Sequence, residues 1–395
     1  MLFQTLDDKK ECIGLYINRE LDFSGTLPLG LSRTWSYSAF LEDLEVEYAK
    51  IYCGGITLDK ACPEALRDRW TSTSEQLQAF IRSFHTARVS LHENCFFDLV
   101  PKKFLLEFCD IKNQICEYVF ATHQKPANYD YLLELTKLIE QIKYQPLNIN
   151  TANLSLFKSS HRKFAQKLKT ISSFCNFNVY GTKTGRLTNF KHSFPILTLD
   201  KTLRGVLEPH NDYFIEIDFN AAELRTLLSL QGKSQPDEDM HAWNIKNVFN
   251  SQRLTRDEAK RRIFAWLYNP ESDDKKCAHF YNREGVVRDY FEHGQVVTCF
   301  DKVIPSEERT ALNYIIQSTC AENVLRQMIK VSNYLKDKKS FVAFPIHDSI
   351  VIDFSLEDRE LLPEIIETFS ATELGKFMTN ISVGKNFGSM EKMRI

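Results

Sequence analysis

The spacing of apolar residues divides the chain into helical and strand-like segments. Apolar positions recur at helical spacing from Ala65 to His92, from Tyr129 to Ile142 and from Glu307 to Leu335, which predicts three long helices. The run from Tyr213 to Ile217 is typical of a buried strand, and a helical pattern follows it. Both helices and strands are therefore expected.

Two hairpins are predicted in the C-terminal half. Residues 341–354 contain an apolar run, the polar triplet His347–Ser349 and a second apolar run, so the triplet is expected at or near a hairpin tip. Residues 294–305 predict a smaller hairpin, which ends a mostly helical insertion from about residue 231. A last helix and a strand-like tail are expected at Asp358–Leu374 and Phe377–Gly384.

Composition is that of an ordinary globular protein. The 395 residues predict two or three subdomains, and 43% are hydrophobic and 26% charged. No apolar run is long enough to span a bilayer and no secretory signal is evident, so no membrane association is expected. The ten cysteines are scattered without a Cys-x-x-Cys pair, which argues against zinc and a disulfide framework and favours a reducing cytoplasm.

The net charge of −2 hides a local basic block. Residues 151–210 carry ten Lys and Arg against two acidic residues, which suits a phosphate-binding surface, although a solvated helix face would look the same. The turn at Tyr180–Asn189 adds hydrogen-bonding side chains beside two glycines, in a phosphate-contacting loop or a plain surface loop. Those side chains are Thr184, Arg186, Thr188 and Asn189.

Two stripes of residues at spacing four suggest ligand-facing helices. Arg256, Lys260, Phe264 and Tyr268 fall along one helix face, where the cations could hold a polyphosphate while a sugar and base rest against the aromatic rings. A half-buried amphipathic helix is the alternative. The second stripe, Arg309, Asn313 and Gln317, could contact acceptors in a minor groove or be polar helix surface.

Two aspartates complete the candidate chemistry. Asp218 ends the predicted strand at Tyr213–Ile217, and Asp348 lies at the predicted hairpin tip. If their strands share a sheet, both carboxylates and a backbone carbonyl such as that of Phe219 could hold two Mg²⁺ ions, as phosphoryl transfer requires. The alternative for Asp218 is a helix cap, because Asp is a favoured N-cap residue.

The motifs together resemble a family A DNA polymerase, the DNA polymerase I type, in a small phage-like form. The resemblance covers about Tyr180 to the C-terminus, in the family's order. It implies an α+β right-hand fold with an antiparallel palm sheet, helical fingers and a helical thumb. The motifs are Thr184–Thr188, Asp218–Arg225, Asp239–His241, Arg256–Tyr268, Arg309–Gln317 and His347–Ser349.

The resemblance also implies a role for each candidate residue. Asp218 and Asp348, with the Phe219 carbonyl, would be ligands of two Mg²⁺ ions, for which Mn²⁺ could substitute. Glu223 would exclude ribonucleotides. The triphosphate would be held by Arg256, Lys260 and His241, with Lys260 also counted as catalytic, and the nucleotide would pack on Phe264 and Tyr268. Primer–template DNA would contact Thr184, Arg186, Thr188, Asn189, Arg309, Asn313, Gln317 and His347.

Three departures from the family stand out. Ser349 follows Asp348 where the family usually has Glu, so a third carboxylate is missing there. Asn269 follows Tyr268 where Gly is usual, and the segment from Tyr268 to Arg309 is short. The expected division is 1–60 of unknown role, 61–180 thumb and start of palm, 181–230 palm, 231–305 fingers and 306–395 palm.

The sequence therefore predicts a DNA polymerase that extends a primer with dNTPs in the cytoplasm of a bacterial or phage-infected cell. It leaves too little chain upstream for a proofreading domain, so no 3′–5′ exonuclease is expected, and an exonuclease or processivity factor could act in trans. Two alternatives stay open: a single-subunit RNA polymerase-like enzyme, against which Glu223 argues, and a non-catalytic primer–template-binding factor.

Overall fold

A computed structural model of the chain describes residues 1–150, 152, 164, 166, 168, 172–269 and 271–393, which fall into two compact units, Met1–Tyr144 and Gln145–Ile395. Half of the predicted basic block lies outside the described residues: Lys158, Arg162, Lys163, Lys167 and Lys169. No helix among the described residues is both long enough and apolar enough to cross a bilayer.

The N-terminal unit, Met1–Tyr144, is mainly helical. Its helices are α1 (Ala49–Tyr52), α2 (Leu58–Ala61), α3 (Arg67–Ala87), α4 (Lys102–Thr122) and α5 (Tyr129–Lys143). Its strands are β1 (Gln4–Thr5), β2 (Leu15–Ile17), β3 (Glu20–Asp22), β4 (Arg33–Thr34) and β5 (Glu47–Tyr48). Helices α3 and α5 confirm the predicted patterns, whereas α4 was not predicted, although it buries Ile111, Ile115 and Val119 at helical spacing.

A disulfide joins Cys12 to Cys95 in this unit, with their Cα atoms 5.6 Å apart. The prediction that the cysteines form no disulfide is therefore wrong for this pair. The two residues are 83 positions apart, and no local spacing reveals a pairing that only the tertiary fold creates. Seven of the remaining eight cysteines are buried, and Cys299 is exposed.

The C-terminal unit is organised around one antiparallel sheet. Its strand order is β14 (Phe341–Ile346), β15 (Ser349–Phe354), β10 (Tyr213–Phe219), β18 (Thr379–Gly384) and β19 (Glu391–Lys392). Strand β10 is central and apolar, and the predicted hairpin at 341–354 is confirmed. Phe219 stacks on Phe369 with ring centroids 4.4 Å apart, which fixes helix α12 (Leu362–Ser370) against the sheet.

A helical group packs beside this sheet. It contains α6 (Ala222–Leu230), α7 (Met240–Asn244), α8 (Arg256–Tyr268), α9 (Lys275–Tyr281), α10 (Arg283–Tyr290) and the 27-residue α11 (Glu308–Tyr334). Leu227, Met240, Ile263, Trp266 and Ile315 belong to its shared buried core, in which α11 takes part. Burial of these side chains removes apolar surface from water and so holds α8 at a fixed place relative to α6 and α11.

Short strands complete the C-terminal unit. The predicted small hairpin forms as β12 (Gln295–Val297) with β13 (Val303–Pro305), and β11 (Phe291–Glu292) adds a third strand. The last helix ends at Ser370, not at Leu374 as predicted, because the chain then turns into the hairpin of β16 and β17. The short strands are β6 (Asn148–Ile149), β7 (Phe177–Asn178), β8 (Thr188–Asn189), β9 (Leu207–Glu208), β11 (Phe291–Glu292), β12 (Gln295–Val297), β13 (Val303–Pro305), β16 (Ala371–Thr372) and β17 (Gly375–Lys376).

Candidate active site

The sheet register places Asp218 and Asp348 side by side. On strand β10, Asp218 lies opposite Ser349 of β15 and opposite Asn380 of β18. Asp348 immediately precedes Ser349 in the β14–β15 turn, and its carbonyl accepts a hydrogen bond from the Phe219 amide at 3.4 Å. Two carboxylates 130 positions apart in sequence are thus brought to the same end of the paired strands β10 and β15.

Asp218 does not cap the helix that follows it. The N-cap of α6 is Ala221, which has a left-handed backbone (φ 52°) and no side-chain cap. The Asp218 carboxylate instead accepts a hydrogen bond from Asn380 Nδ2 at 3.3 Å. The capping alternative is therefore wrong, and Asp218 keeps oxygen lone pairs for another ligand.

The surroundings of Asp218 and Asp348 disfavour the ionised form of each carboxyl group. Burial, with smaller contributions from Asp348 and Glu216, raises the pKa of Asp218 to about 6 against the opposing effects of Asn380 and Lys260. Burial and the charge of Glu223 likewise raise the pKa of Asp348. A cation placed between them would relieve this repulsion, because an opposite charge nearby favours the ionised form.

A cleft of about 440 Å³ opens over the two aspartates. Exposed Lys260 reaches it from α8 and forms no ion pair with any described residue. The cleft thus combines acidic side chains on the sheet with cationic side chains on the helical group. Its lining is Asp218, Phe219, Asn220, Ala221, Ala222, Glu223, His241, Arg256, Lys260, Phe264, Asp348 and Asn380.

Arg256 is held by a carboxylate. Its Nε and Nη2 atoms donate to the two oxygens of Asp239 at 3.1 and 2.8 Å, a bidentate pair. Asp239 also caps α7 and accepts a 2.8 Å hydrogen bond from Asn220 Nδ2, and together these bonds lower its pKa despite partial burial. The guanidinium is half-exposed, so it faces the cleft while keeping this partner.

His241 is neutral near pH 7. Burial, reinforced by the charge of Arg256, lowers its pKa to about 4. The residue is 3% exposed, and its Nδ1 atom has no hydrogen-bond partner among the described residues. A buried nitrogen of this kind calls for a partner, and a ligand in the cleft could supply it.

Glu223 joins the first turn of α6 to the end of α8. Its carboxylate accepts a 2.5 Å hydrogen bond from the Tyr268 hydroxyl and forms a 2.8 Å ion pair with Arg186. Phe264 stacks on Tyr268 with ring centroids 6.1 Å apart, and it also lines the cleft. The carboxylate and the two rings therefore form one wall that is fixed at several points.

The other predicted DNA-contacting residues are not among the lining of this cleft. Arg309 and Asn313 line a second cavity of about 720 Å³, together with Tyr268. Asn189 makes a local contact, in which its Oδ1 accepts a hydrogen bond from the Leu197 amide at 3.3 Å. His347 is exposed at the β14–β15 turn. Of the remaining three residues, Thr184 is buried, and Thr188 and Gln317 are half-buried.

Three residues at the site were not predicted. Asn380 and Asn220 hold Asp218 and Asp239, but nothing in the local sequence shows that their segments meet. Glu216 was missed although its position two residues before Asp218 puts both on one face of a strand. Alternation along β10 could have identified Glu216.

The donor set around Asp218 and Asp348 suits a hard divalent cation only in part. Carboxylate oxygens are the ligands that Mg²⁺ prefers, and the raised pKa of each aspartate fits a site completed by a cation. Within the described part of the chain, however, no group of three or more His, Cys, Asp or Glu side chains is arranged to hold a metal ion. Backbone carbonyls, water and a bound phosphate would have to supply the remaining ligands.

No protein-family model matches the sequence, and no curated protein matches it in a sequence search. Among solved structures, the chain has the fold of a polymerase domain, with mixed helices and strands. One such structure is the POL domain of Pol1 from M. smegmatis in complex with DNA primer-template and dNTP. It aligns with a TM-score of 0.56 and 12% identity over 73% of this chain and 76% of that chain. This similarity confirms the polymerase-like fold that the motifs implied.

Proposed function

We propose that the chain is a template-directed DNA polymerase of the family A type. The observation that carries the proposal is the cleft in which Asp218 and Asp348 face Lys260 and Arg256, in a chain with a polymerase-like fold. Paired carboxylates opposite cations are what transfer of a nucleotidyl group to a primer end requires, because negative charge builds up on the phosphates during the reaction.

Residues of the helical group would bind the nucleotide. Lys260 and Arg256 would neutralise the triphosphate, and the unpartnered Nδ1 of His241 would make a hydrogen bond to it. Phe264 would pack against the sugar and base. Binding the phosphates requires Arg256 to share its donors with Asp239 or to leave it.

The sheet would bind the metal. Asp218, Asp348 and the Phe219 carbonyl would hold Mg²⁺, or Mn²⁺ in its place. When bound, two such ions activate the primer hydroxyl and neutralise the leaving pyrophosphate. Glu223 would stand against the 2′ position of the sugar, where its bonds to Tyr268 and Arg186 keep it from moving aside for a ribonucleotide.

The remaining assignments follow the same proposal. Residues 181–230 and 306–395 would form the palm, 231–305 the fingers and 61–180 the thumb with the start of the palm. Primer–template DNA would contact the turn at 182–189 and the α11 face that carries Arg309, Asn313 and Gln317.

A primer-extension assay tests the proposal. Purified protein with a primer–template, dNTPs and Mg²⁺ should lengthen the primer, and Asp348→Ala should abolish extension. Glu391→Ala, an exposed carboxylate on the edge strand β19, serves as a matched control and should extend normally. Parallel reactions with rNTPs separate the DNA polymerase from an RNA polymerase-like enzyme. Binding of the primer–template without extension in either Mg²⁺ or Mn²⁺ would refute catalysis.

A further inference from the structure

Glu216 lies on the same face of strand β10 as Asp218. The burial pattern of β10 alternates near its end, with Ile217 buried between half-buried Glu216 and Asp218. Side chains two residues apart on a strand point the same way, so both carboxylates face the side on which the cleft opens. Glu216 also contributes to the high pKa of Asp218, so the two carboxylates interact electrostatically.

A hydrogen bond connects Glu216 to the hairpin tip that carries Asp348. Ser349 is 2% exposed, and its Oγ lies 2.9 Å from Glu216 Oε1 and 2.9 Å from the carbonyl of Ile346. The single hydroxyl proton of Ser349 is shared between these acceptors. Ser349 therefore ties the end of β14 and the start of β15 to the strand that carries Asp218.

This link coincides with a departure in the sequence. Ser349 occupies the position after Asp348 at which the polymerases that the chain resembles usually have Glu. A glutamate there would bring a second carboxylate towards Glu216, which like charges disfavour. The uncharged hydroxyl of Ser349 avoids this repulsion, and it donates a hydrogen bond to the Glu216 carboxylate on the neighbouring strand.

We propose that Glu216 is a positioning residue of the nucleotidyl-transfer site. Through its hydrogen bond with Ser349, Glu216 holds Asp348 beside Asp218. Its carboxylate on β10 also supplies the negative charge that the uncharged Ser349 does not. The inference rests on the proposed polymerase function, since it assigns the role of Glu216 within that site. Glu216 acts through Ser349 and through its field on the cation, and not by contact with the nucleotide.

The test measures the metal dependence of four variants. Glu216→Ala removes both the charge and the acceptor, and Glu216→Gln removes the charge but keeps an acceptor oxygen. Ser349→Ala removes the link alone, and Glu216→Ala combined with Ser349→Glu moves the carboxylate to the other strand. Each is assayed for primer extension across a Mg²⁺ titration and, without nucleotide or DNA, for Mn²⁺ binding by electron paramagnetic resonance. Glu391→Ala is the charge-matched control.

Groups that orient metal ligands typically change metal affinity about 10–100-fold when removed. Glu216→Ala should therefore need at least about tenfold more Mg²⁺ for half-maximal extension and bind Mn²⁺ correspondingly weaker. Glu216→Gln should show a smaller change of the same kind, which also keeps the test decisive if Glu216→Ala folds poorly. The double variant should recover most of the lost Mn²⁺ affinity.

Two results would overturn the inference. One is unchanged Mn²⁺ affinity and Mg²⁺ requirement in both Glu216 variants; the other is a loss of extension that is equal at every Mg²⁺ concentration, as a purely structural role would give. Failure of the unaltered protein to extend any primer would instead refute the proposed function, and the Mn²⁺ measurements would still decide whether Glu216 supports a cation site.

Discussion

Replacing Asp218 by Asn should stabilise the protein while abolishing extension. The folded protein raises the pKa of Asp218 from its ordinary value of 3.8 to about 6, chiefly through burial. The folded state thus binds this proton more tightly than the unfolded state. The stability that this tighter proton binding contributes is fully present at pH values below 3.8, the ordinary pKa, and is lost as the pH rises through about 6.

The size of the effect follows from the two pKa values. Since each tenfold change in proton affinity is about 1.4 kcal/mol, ionised Asp218 lowers the free energy of unfolding by at most about 3 kcal/mol above pH 7. Asparagine has nearly the same shape and cannot ionise. Asp218→Asn should therefore gain up to about 3 kcal/mol near pH 8, and the gain should shrink to about 0.6 kcal/mol at pH 4 and to near zero about one pH unit lower.

Urea denaturation in metal-free buffer measures the difference across this pH range. Asp273→Asn, an exposed aspartate in the same unit, is the control and should behave like the unaltered protein. Adding Mg²⁺ should stabilise the unaltered protein, because a bound cation favours the ionised carboxylate. The difference in free energy of unfolding between Asp218→Asn and the unaltered protein should therefore become smaller. A variant less stable than the parent near pH 8, or a difference that does not change with pH, would refute this reasoning.

Three further outcomes are expected. Glu223→Ala should raise ribonucleotide incorporation relative to dNTPs in primer extension, and an unchanged ratio would contradict the proposed role. Arg225→Met should cost at least about 3 kcal/mol in urea denaturation, because the buried guanidinium donates to three backbone carbonyls that would lose their partner. Cys12→Ser should lower the free energy of unfolding by about 4.5 kcal/mol in the chain-entropy account, and reducing the parent protein should give the same thermal midpoint. A parent that reductant leaves unaffected would show that the disulfide does not form in solution.

The sequence predicted those elements whose local pattern is strong. Strand β10, the hairpin of β14 and β15, and helix α11 each have a strong local pattern of apolar residues, so their positions needed no knowledge of the rest of the fold. Of the stripe predicted on α8, which requires only helical geometry, Arg256, Lys260 and Phe264 line the cleft, whereas Tyr268 lines the second cavity.

What escaped prediction depends on contacts between distant segments. Asn380 meets Asp218 only because β18 pairs with β10, and the Cys12–Cys95 pair similarly joins segments that no local pattern connects. The ion pair between Asp239 and Arg256 could not be predicted either, because nothing in the local sequence shows that the start of α7 meets the start of α8.

The central position of β10 has a consequence for biogenesis. Its two partners, β15 and β18, are made more than 120 residues after it, so a growing chain has delivered Asp218 long before either neighbour exists. Both sides of this strand lack a hydrogen-bonding partner until residues 349–354 have left the ribosome, and the β18 side stays unpaired until residues as late as 384 have followed. Nascent chains stalled before that point should therefore be prone to aggregation.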